Sequence, residues 1–136
     1  MTGNMIVIFH DLQDAENPLN GLPFENGVSL VAALTSLTHR PPFFCELVGS
    51  TGIKILIGLS ASWSCVQHSP ADGTPPYLMA LHGRDGDQGD DLAFLIDDTA
   101  TPVPSRFGIA KDVLDEIVQD FIETGEPSST ARWEEI

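Results

Sequence analysis

The sequence predicts a single α+β domain over residues 1–136, with a mainly antiparallel sheet of about six strands and two α-helices packed on one face. The chain has 136 residues, which is enough for one ordinary domain and too few for two. Its residues are 42% hydrophobic, so it can form a real core. Short β-rich apolar segments lie between two segments whose apolar residues recur at helical spacing.

The first part of the chain predicts a strand, a loop and a helix. Residues 5–9 form a short apolar run, and the polar segment 11–27 contains prolines and glycines that are typical of a loop. Apolar residues at helical spacing then predict a first helix over 28–38. Asn26 and Gly27 suit the N-terminal cap of this helix, and two consecutive prolines follow its end.

The middle of the chain predicts a meander of strands. The predicted strands are residues 43–48, 54–58, 62–67, 77–82 and 92–96. The first three are separated by short polar connections, which favours antiparallel pairing. The last two are separated by the polar segment 83–91, which contains no core-forming residue. We therefore expect an acidic loop between two strands.

The second helix has the clearest pattern. Its apolar stripe at a 3.6-residue period consists of Ile109, Val113, Leu114, Ile117, Val118, Phe121 and Ile122. Gly125 suits the position after the helix, and Pro127 prevents its continuation. A short strand ending at Trp133 follows. We expect the apolar stripe to pack on the sheet, because no other apolar surface is large enough to cover it.

The opposite face of the second helix is acidic. Its acidic residues are Asp112, Asp115, Glu116, Asp120 and Glu123. Like charges four residues apart are unfavourable by about 0.2–0.5 kcal/mol per pair. Anions near the helix C-terminus also oppose the helix dipole. This face is therefore either a functional surface or a solvated face in a generally acidic protein.

Charge and composition exclude several classes of function. The formal net charge is −14, with only six Lys and Arg residues, which argues against direct binding of nucleic acid or of an anionic membrane. A basic protein partner is compatible with this charge, as is a simple gain in solubility. No apolar run reaches the roughly 20 residues that a membrane helix needs, and no secretory signal is evident. Cys45 and Cys65 lie in apolar segments, so we expect two buried, reduced thiols in a cytoplasmic protein.

Catalytic motifs are incomplete. Residues 58–62 (Gly-Leu-Ser-Ala-Ser) imitate a nucleophile elbow around Ser60, but the final glycine that the sharp turn needs is replaced by serine. There is no phosphate-binding loop and no dinucleotide fingerprint. Cys65 and His68 have a spacing compatible with zinc, but no second pair of ligands follows. We expect no cofactor, no metal and no catalytic residue.

The segment from Asp85 to Asp98 is the one candidate for an enzymatic site. Its acidic residues are Asp85, Asp87, Asp90, Asp91, Asp97 and Asp98. Carboxylates of this kind bind hard cations, so a metal-dependent hydrolase is one interpretation. The segment does not fit an EF-hand, because Ile96 stands where the bidentate glutamate belongs. The other interpretations are a solvated loop and an acidic surface that mimics phosphates and pairs with Lys and Arg of a partner.

The last third of the chain resembles a known family. The residues that carry the resemblance are the run 102–109 (Pro-Val-Pro-Ser-Arg-Phe-Gly-Ile), the amphipathic helix, the turn 124–127 (Thr-Gly-Glu-Pro) and the closing Trp133. The strand 55–59 (Ile-Leu-Ile-Gly-Leu) and the Gly/Asp-rich loop add to it. Together they are similar to the first-numbered immunity-protein family of bacterial polymorphic toxin systems, whose members are often encoded beside deaminase toxins.

The resemblance implies an antitoxin that binds a cognate toxin in the cytoplasm and occludes its active site. The partner it implies is a zinc-dependent deaminase of nucleic-acid cytosine, and a nuclease toxin with a basic cleft is the alternative. The chain is not itself the deaminase, because His-x-Glu and Pro-Cys-x-x-Cys are both missing. On physical grounds we predict that the six aspartates from Asp85 to Asp98 contact the toxin. Trp63 is either an aromatic anchor of this interface or a residue of the core. A monomer that forms a heterodimer with the toxin is the default expectation.

Overall fold

The computed structural model describes residues 4–83 and 89–136. These residues form nine β-strands and two α-helices. The strands are β1 (Val7–Asp11), β2 (Pro23–Phe24), β3 (Phe43–Gly49), β4 (Ile53–Leu59), β5 (Cys65–Pro70), β6 (Leu78–Leu81), β7 (Leu92–Ile96), β8 (Thr99–Val103) and β9 (Arg132–Glu135). The helices are α1 (Gly27–Ser36) and α2 (Lys111–Thr124), and a single 3₁₀ turn, Ser105–Phe107, lies between β8 and α2. The predicted α+β class is confirmed.

The main sheet is antiparallel and has the strand order β2-β1-β3-β4-β5-β6-β9. The predicted meander corresponds to β3, β4 and β5, which are neighbours in the sheet. β7 pairs with β3 in parallel at one position, Phe43 opposite Leu95, and among the described residues β8 pairs only with β7. Two strands, β2 and β8, lie in segments for which the sequence predicts no strand. β7 and β8 therefore form a hairpin that leaves the plane of the main sheet.

Both helices pack on one face of the sheet, which we call the helix face. Leu30 and Leu34 of α1 join the buried stripe of α2 in one core with inward-facing strand residues such as Ile55 and Ile57. Every residue of the predicted α2 stripe is at most 6% exposed. Burial of each such large apolar side chain contributes about 1.5–3 kcal/mol. The sequence prediction of this packing is confirmed.

The helix ends follow local chemistry. The side chain of Asn26 accepts hydrogen bonds from the N–H groups of Val28 and Ser29, which satisfies two donors at the start of α1. Gly125 ends α2 with φ 75°, and its N–H donates to the carbonyl oxygen of Phe121. This left-handed conformation favours glycine, because a side chain there is strained.

The other face of the sheet, which we call the hairpin face, is partly covered by β7 and β8. A second core consists of Phe44, Cys65, Met79, Phe94, Val103 and Phe107. The Phe94 ring lies directly over Gly58, where an added Cβ would come within 2.9 Å of the ring carbons. Gly58 is therefore the position at which the hairpin closes on the sheet, and the chain forms three layers: helices, sheet and hairpin.

Both cysteines are buried and free, as the sequence predicts. Burial raises the pKa of the Cys65 thiol to about 12 and also raises the pKa of Cys45. Both thiols are therefore protonated and unreactive at neutral pH. No helix among the described residues has the length and apolar character needed to span a membrane.

Candidate partner-binding surface

Asp97 and Asp98 form the two-residue turn of the β7–β8 hairpin. Their φ angles are 48° and 64°, and the flanking residues Ile96 and Thr99 are paired. Two positive φ angles are what a type I′ hairpin turn requires, and aspartate tolerates this conformation better than most residues. The positive φ angles that this turn requires therefore give Asp97 and Asp98 a structural role. Their exposed carboxylates lie at the tip of the hairpin.

The tip of the hairpin is attached to the segment that follows β1. Gln13 donates from Nε2 to Oδ1 of Asp98 at 2.6 Å, and its Oε1 accepts from the N–H of Asp98 at 2.7 Å. The backbone N–H of Asp97 donates to the carbonyl oxygen of Leu12. These contacts hold the acidic tip in a defined position relative to the main sheet.

The other predicted aspartates lie elsewhere. Asp90 and Asp91 are exposed and immediately precede β7. Because strand residues advance about 3.3 Å each, Asp91 and Asp97 are about 20 Å apart at opposite ends of β7. Asp85 and Asp87 lie outside the described residues. The four described aspartates therefore lie in two separate pairs, one before β7 and one after it.

The described residues contain no cluster of candidate metal ligands. Residues 4–83 and 89–136 contain no group of three or more His, Cys, Asp or Glu side chains that could hold a metal ion. Cys65 lies on the hairpin face, whereas His68 lies on the helix face with Nε2 donating to the carbonyl oxygen of Gly125 at 2.9 Å. The predicted zinc-compatible spacing therefore places the two side chains on opposite sides of the sheet, because residues three apart in a strand point to opposite faces.

Ser60 and Trp63 belong to the connection between β4 and β5. Ser60 is 5% exposed, and its Oγ accepts from the N–H of Ser62, so its hydroxyl stabilises the local turn. Ser64 pairs with Ile109, just before α2, through two backbone hydrogen bonds. Trp63 lies beside this bridge and is 41% exposed. Trp63 is thus a partly accessible aromatic side chain at the N-terminal end of α2, remote in sequence from the acidic hairpin.

Most of the described Lys and Arg side chains form ion pairs with carboxylates of the same chain. Of the six Lys and Arg residues, Arg84 lies outside the described residues, and four of the remaining five form ion pairs. These pairs are Arg40–Asp11, Lys54–Glu46, Arg106–Glu134 and Lys111–Asp115. The surplus of carboxylates therefore has few basic neighbours within the described part of the chain.

Asp11 is the most enclosed of the paired carboxylates. Its side chain is fully buried and accepts from Arg40 at 2.6 Å and from Asn17 at 2.9 Å, as well as from the N–H groups of Gln13 and Asp14. Burial by itself raises the pKa of Asp11, but these hydrogen bonds outweigh burial and hold the pKa below its usual value. Sequence reasoning places Asp11 at the edge of a loop and misses this role, for which the only local signal is a short polar residue at a turn.

The acidic face of α2 is partly explained by its neighbours. Thr130 donates to Oε2 of Glu116 at 2.7 Å, and Ser128 donates to Oδ2 of Asp120 at 2.5 Å. These two carboxylates hold the connection between α2 and β9. Glu116 and Asp120 therefore have structural partners that the sequence alone does not indicate.

Comparison of the chain with protein-family models, with curated proteins and with solved structures gives no match.

Proposed function

We propose that the chain is an immunity protein that binds a basic cognate toxin in the cytoplasm and inhibits it by covering its active site. The resemblance of residues 102–133 to an immunity-protein family favours this class. The observation that carries the proposal is the charge distribution. Four of the five described cations are engaged in ion pairs, so a molecule of formal net charge −14 presents mainly unpaired carboxylates to a partner.

The negative charge of the chain favours a basic partner. A strongly negative surface attracts a positively charged protein over a distance of about one Debye length, roughly 10 Å at 0.1 M salt. An enzyme that acts on nucleic acid needs a basic cleft to receive its substrate. Carboxylates such as those of Asp90 and Asp91 can pair with the Lys and Arg side chains of that cleft. Occupying the cleft excludes nucleic acid without any chemical step by the inhibitor.

The proposed client is a deaminase that acts on cytosine in nucleic acid. Such an enzyme must admit the target base to a zinc site with an activating glutamate, so a bound protein of this size blocks access. We expect an interface of about 1,600 Å² or more in total. In this proposal the chain supplies binding surface and no catalytic group.

The decisive experiment uses the toxin domain encoded beside this gene. The purified chain is titrated into that domain, with its deaminase activity and the heat of binding measured at about 50 mM and about 300 mM salt. We expect inhibition that is complete at a 1:1 ratio and an affinity that falls as salt rises. No complex at micromolar concentrations, or a complex that leaves the deaminase fully active, would refute the proposal. A neighbouring toxin that cleaves nucleic acid would reassign the client to a nuclease.

A further inference from the structure

An apolar groove lies on the hairpin face, where β7 and β8 leave the sheet uncovered. Leu56 and Met79 of the sheet contribute to its floor, Pro102 and Pro104 form its wall, and Ile136 also lines it. Its volume is about 180 Å³. A buried cavity of about 150 Å³ is large enough for benzene, so the groove has room for one ring-sized or branched aliphatic group.

The wall of the groove favours insertion of a side chain over addition of a strand. β8 pairs with β7 along one edge, with Pro102 opposite Ala93 and Val103 opposite Leu92. Proline has no N–H, so Pro102 and Pro104 offer no backbone donor to a further strand. The groove is therefore suited to an apolar group that enters from solvent.

Two ion pairs lie close to the groove. Arg106 and Glu134 form a bidentate ion pair beside Phe107 and Met79, which belong to the second core. Lys54 and Glu46 form another pair on the same face of the sheet, next to Leu56. The side chains that line the groove are apolar apart from Gln67, which disfavours a charged occupant.

The surroundings of the groove are acidic. Val103 lines the groove and is opposite Leu92 in the hairpin. Asp91 precedes Leu92, so it lies at the end of the hairpin that forms the groove wall. None of the ion pairs formed by the described residues includes Asp90 or Asp91. An apolar groove with Asp90 and Asp91 at one side is complementary to a basic surface from which one apolar side chain projects.

We infer that this groove is the centre of the toxin-binding surface, and that it receives one aromatic or branched aliphatic side chain of the toxin while Asp90 and Asp91 contact basic residues around it. This inference rests on the proposed function. A second copy of the chain is disfavoured as the occupant, because two molecules of net charge −14 repel each other. Buried apolar anchors at the centre of an interface carry most of its binding energy, with a polar rim around them.

The test compares two lysine substitutions of equal charge. Ile136→Lys places a charge at the groove, where the native side chain is 59% exposed. Val28→Lys is the matched control, because Val28 is 72% exposed and lies on α1 at the helix face. Binding to the neighbouring toxin domain is measured by calorimetry for the wild type and both variants, after thermal melting has shown that each folds.

We expect Ile136→Lys to weaken binding by at least about tenfold and Val28→Lys by less than about twofold. Gln67→Lys, at another point of the groove lining, should also weaken binding. Equal effects of the Ile136 and Val28 variants would overturn the inference while leaving the proposed function intact. Saturable binding of indole to the groove, with toxin affinity unchanged in Ile136→Lys, would identify a small-molecule pocket and also overturn it. A wild-type chain that does not bind the toxin domain would refute the proposed function itself.

Discussion

Replacing Asp11 with alanine should destabilise the protein strongly. The carboxylate accepts four hydrogen bonds, including one from the Arg40 guanidinium at 2.6 Å, and its side chain is fully buried. Removing one partner of a buried ion pair costs about 3–5 kcal/mol, and we expect the lower end because the Arg40 side chain is 20% exposed and can reach water. With an unfolding entropy of about 2.1 cal/mol/K per residue, about 3 kcal/mol corresponds to a fall in Tm of about 10 °C.

The same carboxylate should make stability depend on pH in a defined direction. The pKa of Asp11 is lower in the folded state than in the unfolded state, where it is about 3.9. Its contribution is therefore fully present above that value and is lost as pH falls through the folded-state pKa. The stability difference between wild type and Asp11→Asn, which cannot titrate, should shrink as the pH is lowered below about 4.

Urea unfolding followed by tryptophan fluorescence measures both effects, at pH 7 and at a series of acidic values. Arg40→Met is a useful companion variant, because it leaves Asp11 with its three neutral donors and should cost less than Asp11→Ala. The reasoning would be refuted if Asp11→Ala lost less than about 1 kcal/mol at pH 7, the size of a single ordinary hydrogen bond. A difference between wild type and Asp11→Asn that stayed constant with pH would refute the linkage.

Three further predictions follow from the fold and the charge distribution. Gly58→Ala should lower the free energy of unfolding by about 1–3 kcal/mol, since the new Cβ would lie 2.7 Å from Sγ of Cys65 and 2.9 Å from the Phe94 ring; a melting temperature equal to wild type would contradict this packing. Gly125→Ala should cost more than Gly73→Ala in thermal melts, because both glycines have positive φ but only Gly125 would also meet Ile53, at 2.5 Å; equal costs would show that backbone conformation alone matters. Asp90→Asn combined with Asp91→Asn should slow association with the toxin domain at low salt and have little effect at high salt, as measured by stopped-flow fluorescence; an unchanged rate at low salt would remove this pair from the binding surface.

Local chemistry explains why the helices were predictable. Each signal depends on residues that are close together in the sequence. These signals are the apolar stripe of α2, the glycine after its last turn and the asparagine that caps α1. Such signals do not depend on the rest of the fold, so periodicity and capping rules find them. The antiparallel meander was predictable for a similar reason, because strands joined by short polar connections usually pair with each other as antiparallel hairpins.

The acidic residues show where sequence reasoning ends. The run of aspartates predicts an acidic surface, and its four described members, Asp90, Asp91, Asp97 and Asp98, are exposed. The predicted strand 92–96 already separates Asp91 from Asp97, but the sequence does not indicate that Asp97 and Asp98 form a turn, because that requires Thr99–Val103 to be a strand. Pro102 lies in that strand and Pro104 lies just after it, and prolines are unfavourable in a strand that pairs on both edges. They are tolerated here because β8 pairs with β7 along one edge.

By itself, then, the sequence determined the elements whose causes are local: two capped helices, a meander of strands and a large excess of negative charge. Only the tertiary structure decided that the β7–β8 hairpin folds onto the free face of the sheet. That arrangement depends on Phe94 meeting Gly58, two residues 36 positions apart that no local rule connects. The apolar groove beside the hairpin exists for the same reason, since its floor and its wall come from segments that become neighbours only when the chain has folded.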